Sequence, residues 1–153
     1  MSGSETSTTK SEPKTLGTYA GLRFSGDRLQ PSRVSDILNA TPTTAYRKGE
    51  VYKRFREHEA RGRTGLWLIS SKGRVHSSDL NDHLDYLLEI VCPDCSDNRL
   101  AALRDLMRDD GLEADVPCFW HGEAGARPPI IRDDIRERFA RIPATIETDF
   151  DTD

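Results

Sequence analysis

Cysteine is scarce in this chain, and long apolar runs are missing from it. Three cysteines among 153 residues are an odd number, which argues against a secreted disulfide scaffold and favours a reducing compartment. No stretch approaches the roughly 18 apolar residues that cross a bilayer. The first fifteen residues lack the apolar segment of a signal peptide. These absences predict a cytoplasmic protein with no membrane partner.

The common catalytic motifs are missing as well. The sequence has no nucleophile elbow, phosphate-binding loop, dinucleotide fingerprint or paired-histidine zinc motif. Its histidines, His58, His76, His83 and His121, have no partner at a catalytic spacing. His83 precedes an apolar helical position, so we expect it to lie on the surface. We therefore predict a binding module rather than an enzyme, with no catalytic residues.

The composition suits one domain with short polar ends. Hydrophobic residues make up 35% and charged residues 31%, and the net charge of −4 argues against a general nucleic-acid coat. Residues 1–17 are rich in Ser and Thr, so we predict a disordered tail there. A single α+β domain is expected over 18–150. Residues 151–153 are acidic and are expected to fray.

Hydrophobic periodicity predicts both strands and helices. Alternation indicates strands near 19–25, 66–70, 116–121 and 145–150, and Pro117 favours an edge strand or a strand start. Helical spacing indicates helices beginning near Pro31, Ser78 and Ser96, and a fourth over 131–142. We expect a four-stranded, mostly antiparallel sheet with helices packed on one face. The order also suits two strand–helix–strand halves, as in a ferredoxin-like variant. The expected core residues are Trp67, Trp120, Phe24, Leu66, Leu68, Leu84, Leu87, Leu88, Leu103, Ile135 and Phe139.

Several short motifs follow one another along the chain. The first half contains Gly26, Leu29-x-Pro31, Val34-x-x-Ile37-Leu38, Pro42, Gly49 and Trp67. The second half contains His83-Leu84-x-x-Leu87-Leu88, Cys118-x-Trp120 and Asp149. In this order, over about residues 19–150, the chain resembles the bacterial family called domain of unknown function 4279. Its closing Thr-Asp-Phe differs from the Asp-x-Tyr type of ending expected there. The resemblance implies a small bacterial α+β domain without established activity, and analogy with other small bacterial domains suggests an immunity or interaction role.

One candidate site combines Cys92-Pro-Asp-Cys95 with Cys118-Phe-Trp-His121. Three thiolates and one imidazole form a complete tetrahedral zinc shell. Cys118 also fits a strand position that faces the core, where free cysteine is commonly buried. A third reading is redox chemistry, because Cys95 precedes a predicted helix N-terminus. The sequence does not decide between a zinc site, independently packed cysteines and redox chemistry, so we predict no metal or other cofactor.

The segment Tyr46–Arg63 is a second candidate. It holds seven Lys or Arg against three Glu, so the remainder of the chain carries −8 (−4 minus +4). Aromatic residues among cations suit contacts with an acidic protein partner, or with the phosphates and bases of a nucleic acid. A solvent-exposed segment between a helix and a strand, with no binding role, would have the same composition. We predict partner contacts here, with nucleic acid the weaker option and the Gly122–Pro129 loop as a second part of the surface. The candidate contact residues are Arg47, Tyr52, Arg54, Phe55, Arg56 and Arg61.

Overall fold

The computed structural model describes residues 12–94 and 96–153, and it forms an α+β fold. The strands are β1 (Thr15–Gly26), β2 (Thr44–Tyr46), β3 (Val51–Phe55), β4 (His58–Arg61), β5 (Gly65–Ser70), β6 (Glu113–Gly122) and β7 (Thr145–Thr152). The helices are α1 (Pro31–Leu38), α2 (Leu80–Val91), α3 (Asp97–Asp110) and α4 (Asp133–Arg141). Residues 1–11 of the predicted tail lie outside the described residues. Both terminal strands are longer than predicted, because β1 begins at Thr15 and β7 continues to Thr152.

The main sheet has five strands in the order β2-β5-β1-β6-β7, so the prediction of four was wrong. The additional strand, β2, has only three residues, which is too short for a period to show in the sequence. Every pairing is antiparallel except β6 with β7, which are parallel and joined through α4. The mostly antiparallel α+β prediction is therefore confirmed. The two predicted strand–helix–strand halves differ in topology, because β1 and β5 of the first half pair antiparallel, whereas β6 and β7 of the second half pair parallel.

Local capping explains where the helices begin and end. Pro31 opens α1, and Asn39 ends it in the left-handed conformation with φ of 50°. The side chain of Asp79 caps α2, one residue after the predicted start. Ser96 caps α3 as predicted, and Gly111 ends that helix with φ of 65°.

The hydrophobic core lies between one face of the sheet and the helices. Alternate residues of β1 and β6 point into it, including Phe24 and Val116. All the predicted core residues are buried except Leu66 and Leu68, which are only partly buried. Both leucines alternate with buried Trp67 along β5, so they project from the opposite face of the sheet. In residues 12–94 and 96–153 no helix covers that opposite face, and we call it the open face.

Pro117 lies inside a central strand, so its predicted place at an edge or a strand start was wrong. The pairing of β1 with β6 steps from Ala20–Cys118 directly to Arg23–Asp115 without a change of register. Proline has no N–H to donate to a neighbouring strand. The interruption in the ladder accommodates Pro117 without displacing the strand from the sheet.

Candidate functional site: a basic hairpin arm

The basic segment forms a β-hairpin that extends beyond the main sheet. Strands β2 and β5 pair at Tyr46–Leu66, and β3 and β4 then pair from Val51–Arg61 to Phe55–His58. Between these ladders, the Gly49 N–H donates to the Gly62 carbonyl over 2.8 Å, and the Gly62 N–H donates to the backbone carbonyl of Glu50 over 2.9 Å. The segment Arg47–Arg63 is therefore the continuation of one long hairpin, and we call it the arm.

Two stacked tyrosines support the base of the arm. The rings of Tyr46 and Tyr52 lie 4.6 Å apart between centroids, with an interplanar angle of 14°. Gly62 makes room for them, because a Cβ at this position would come within 2.5 Å of the Tyr46 ring. Tyr46 is partly buried, and this burial raises the pKa of its hydroxyl. The stack therefore ties the end of β2 to β3 at the base of the arm.

We predict that Gly62→Ala loosens the arm while leaving the main sheet folded. The added methyl group must displace the Tyr46 ring, at a cost of about 1–3 kcal/mol. We expect faster trypsin cleavage after the arm cations and a much smaller change in the urea midpoint of the whole domain. Gly17→Ala is the matched control, because a Cβ there meets only Phe119 at an ordinary 3.8 Å. Equal cleavage rates in the two variants would contradict this account of the stack.

The arm carries cations that its own glutamates do not neutralise. Arg54 and Arg61 share Glu59, at 2.7 and 3.0 Å, and Arg47 approaches Glu50 at 3.9 Å. In the part of the chain that the structure describes, three further arm cations make no ion pair: Lys53, Arg56 and Arg63. The arm therefore presents net positive charge toward solvent.

Two aromatic side chains are exposed among these charges. Tyr52 is 50% exposed and Phe55 is 46% exposed, although large apolar groups are usually buried. The Lys53 ammonium lies 4.7 Å from the centre of the Phe55 ring, within cation–π range. Arg56 follows Phe55 at the turn, with φ of 43°. The structure thus brings most of the predicted contact residues onto one protruding element.

The Gly122–Pro129 loop does not join this surface, so that part of the prediction was wrong. At one end of β1, Gly26 pairs with Gly65, next to the arm. At the other end, Thr15 pairs with Gly122. A strand of 12 residues spans about 40 Å. The arm and the loop therefore lie at opposite ends of the sheet.

The cysteine–histidine set is not assembled by the described residues. Cys118 is buried on the core side of β6, while His121, three residues later, projects from the open face and bonds Asp153 at 2.7 Å. Cys92 is buried at the end of α2 and is disulfide-bonded. Cys95 lies outside the described residues. In residues 12–94 and 96–153, no three His, Cys, Asp or Glu side chains form a group that could hold a metal ion.

We predict that Cys118 is almost inert in the folded protein. Burial raises the pKa of its thiol to about 12, and the thiolate is the reactive form. At pH 8, an exposed thiol of pKa about 8.5 is about one-quarter ionised, whereas Cys118 is about one ten-thousandth ionised. Alkylation by iodoacetamide, followed by mass spectrometry, should be at least about a hundredfold slower for Cys118 in native buffer than in urea. Rapid labelling in native buffer would contradict the burial.

His83 is buried, so its predicted surface position was wrong. Its Nε2 lies 2.8 Å from the Ser77 carbonyl, which can only accept, so Nε2 carries the proton. Nδ1 then accepts from the Ser71 hydroxyl over 2.7 Å, and Ser71 Oγ accepts from the Ala20 N–H over 2.9 Å. Because Ser71 is fully buried, this serine–histidine pair joins the sheet to α2 and does not face solvent. Only the apolar residues around His83 in the sequence could have indicated its burial.

Comparisons with known proteins identify the family of the chain. No curated protein and no solved structure matches it. Within the described residues, no helix is both long and apolar enough to span a bilayer. The model of one family, described as Domain of unknown function (DUF4279), matches residues 16–153. This match covers nearly the whole chain, from the start of β1 through β7, so the protein is a member of the DUF4279 family.

Proposed function

We propose that this protein is a cytoplasmic protein-binding module whose arm docks against an acidic protein surface. The observation that carries the proposal is Phe55, which is 46% exposed at the arm tip beside the unpaired cations Lys53 and Arg56. An exposed aromatic group gains about 1 kcal/mol or more when a partner desolvates it. Surrounding cations restrict that partner to surfaces of opposite charge.

The charge distribution favours an acidic protein over a nucleic acid. Three glutamates lie among the seven arm cations, and Glu59 holds two arginines at 3.0 Å or less. The remainder of the chain carries −8 against +4 in the arm, which repels an extended polyanion. A compact acidic patch contacts the arm alone and avoids this repulsion. If the acidic partner is a toxin, binding through the arm would make this protein an immunity protein.

The proposal is tested by photo-crosslinking inside the producing bacterium. A photoreactive phenylalanine analogue replaces Phe55, and captured proteins are identified by mass spectrometry. The matched control places the same analogue at Ile130, which is apolar and 86% exposed but lies in the loop before α4. We expect an acidic protein to be captured from position 55 and not from position 130. Equal capture at both positions, or capture of nucleic acid from position 55, would overturn the proposal.

Charge reversal in the arm should slow binding of the captured protein. We expect Lys53→Glu with Arg56→Glu to reduce the association rate constant about tenfold at low salt, because complementary charge mainly accelerates encounter. Stopped-flow fluorescence at two salt concentrations measures the effect. The control, Arg74→Glu with Arg127→Glu, changes two exposed cations outside the arm and alters the net charge equally. A similar loss in both variants would show that total charge, rather than the arm, determines the rate.

A further inference from the structure

Among the described residues, the last strand of the main sheet has one edge that pairs with no other strand. Strand β7 pairs with β6 along one side and is terminal in the strand order. The Asp153 N–H donates to the Gly122 carbonyl, so the backbone N–H and C=O groups of Asp153 and of every second residue before it point toward β6. The backbone groups of the residues between them therefore point away from β6: Ile146, Thr148, Phe150 and Thr152. Such an edge is a template for one more strand.

Carboxylates on the open face determine which strand the edge accepts. Glu147, Asp149 and Asp151 are exposed and lie beside Pro117, Phe119 and His121 of β6. Within residues 12–94 and 96–153, none of the three carboxylates forms an ion pair. With Asp153, the segment 145–153 carries −4 and no cation. Two copies of β7 therefore repel one another, whereas a basic strand is attracted.

A hollow next to this acidic row provides an apolar contact. It encloses about 230 Å³ and is lined by Tyr19, Pro117, Phe119, Glu147 and Asp149, among others. The Tyr19 and Phe119 rings stack with centroids 4.9 Å apart, so part of the lining is aromatic. An aromatic wall beside carboxylates suits an aromatic side chain with a neighbouring cation.

The arm has the matching properties. It carries +4 over Tyr46–Arg63, against −4 over 145–153. Its exposed Phe55 has Lys53 over the ring. In the two-stranded sheet of the arm, β3 and β4 pair with each other, and each has one further edge. Charge, aromatic anchor and strand edge therefore all have a counterpart on β7.

We propose that the arm of one copy docks on the β7 edge of a second copy. One arm strand extends the main sheet of the partner copy, its unpaired cations face the carboxylate row, and Phe55 enters the hollow. This proposal rests on the proposed function, since it names β7 of a second copy as an acidic partner of the arm. Self-association then competes with capture of another acidic protein.

Light scattering after size-exclusion chromatography tests the contact on the full chain. We expect the wild-type mass to rise above the monomer with concentration, and to fall back as salt increases from about 0.05 to about 0.5 M. The arm variant is Lys53→Glu with Arg56→Glu, and the β7 variant is Glu147→Lys with Asp149→Lys. Each should associate at least about tenfold more weakly than the wild type. An equimolar mixture of the two should associate again, because the unchanged arm of the β7 variant then meets the unchanged β7 of the arm variant.

A third variant separates strand addition from simple attraction. Thr148→Pro removes an outward N–H without changing charge, and edge positions tolerate proline. It should abolish association while circular dichroism remains that of the wild type. A wild-type protein that is monomeric at every concentration, a β7 or Thr148→Pro variant that associates normally, or a mixture that does not recover would each overturn the proposal. The β7 variant keeps its arm, so continued crosslinking from position 55 leaves the proposed function standing when self-association fails.

Discussion

Replacing Trp67 with alanine should lower the free energy of unfolding by about 3–5 kcal/mol. Trp67 is fully buried, packs against Phe24 at 5.8 Å between ring centroids, and donates from Nε1 to the Ser35 hydroxyl over 3.0 Å. Truncation removes this burial and leaves a cavity between β5 and α1. Urea unfolding followed by circular dichroism measures the change. If the variant is too unstable to purify, Trp67→Phe should show a smaller loss of the same sign.

The adjacent Leu68 provides the control for this substitution. It lies on the open face and is only partly buried, so Leu68→Ala should cost about 1 kcal/mol or less. The losses of unfolding free energy at these two neighbouring positions should differ by several kcal/mol, because helices cover only one face of the sheet. Comparable losses at both positions would mean that the open face is also packed in solution, for example by a second copy.

Ser71→Ala should destabilise the fold by about 2–4 kcal/mol, although it removes a single oxygen atom. The substitution leaves the Ala20 N–H and His83 Nδ1 without their partner inside the core. Each unsatisfied buried polar group costs about 1–3 kcal/mol. Urea unfolding monitored by tryptophan fluorescence measures the loss.

Ser70→Ala is the matched control for Ser71→Ala. The Ser70 hydroxyl accepts an exposed hydrogen bond from the Lys72 N–H over 3.1 Å, so we expect its loss to cost about 0.5 kcal/mol or less. His83→Ala should be at least as damaging as Ser71→Ala, because it also frees the Ser77 carbonyl and leaves a cavity. If Ser71→Ala left the free energy of unfolding unchanged, the hydrogen bonds of Ser71 with Ala20 and His83 would contribute little to stability.

The helices and the inner face of the sheet could be predicted because their signals are local. Leu84, Leu87, Leu88 and Val91 recur at helical spacing, and Ser96 and Gly111 mark the two ends of α3. The burial of His83 is indicated only by Leu80 and Leu87, one turn away on either side, whereas its partners Ser71 and Ser77 acquire meaning only when β5 and α2 pack together. The interior position of Pro117 could not be predicted for a similar reason, because a proline in the sequence does not show that the ladder with the neighbouring strand is interrupted opposite it.

Composition indicated the arm, but its shape was not predictable. The excess of Lys and Arg between Tyr46 and Arg63 is visible in the sequence. The strands of the arm are short, and β3 contains a register shift between Val51 and Lys53, which breaks a period of two. The β7 edge could not be predicted, because strand order depends on long-range pairing that periodicity does not encode.

The strand order also determines when the sheet can assemble during synthesis. The central strand β1 is the first to be made, but both of its neighbours, β5 and β6, come later in the chain. Gly122, at the end of β6, is synthesised 96 residues (122 minus 26) after Gly26. At about 5–20 residues per second, a nascent β1 therefore waits roughly 5–20 s with at least one edge uncovered. Over that interval the apolar face of Ala20, Leu22 and Phe24 is available to chaperones and to other nascent chains, so the yield of folded protein should depend more on translation speed than on native stability.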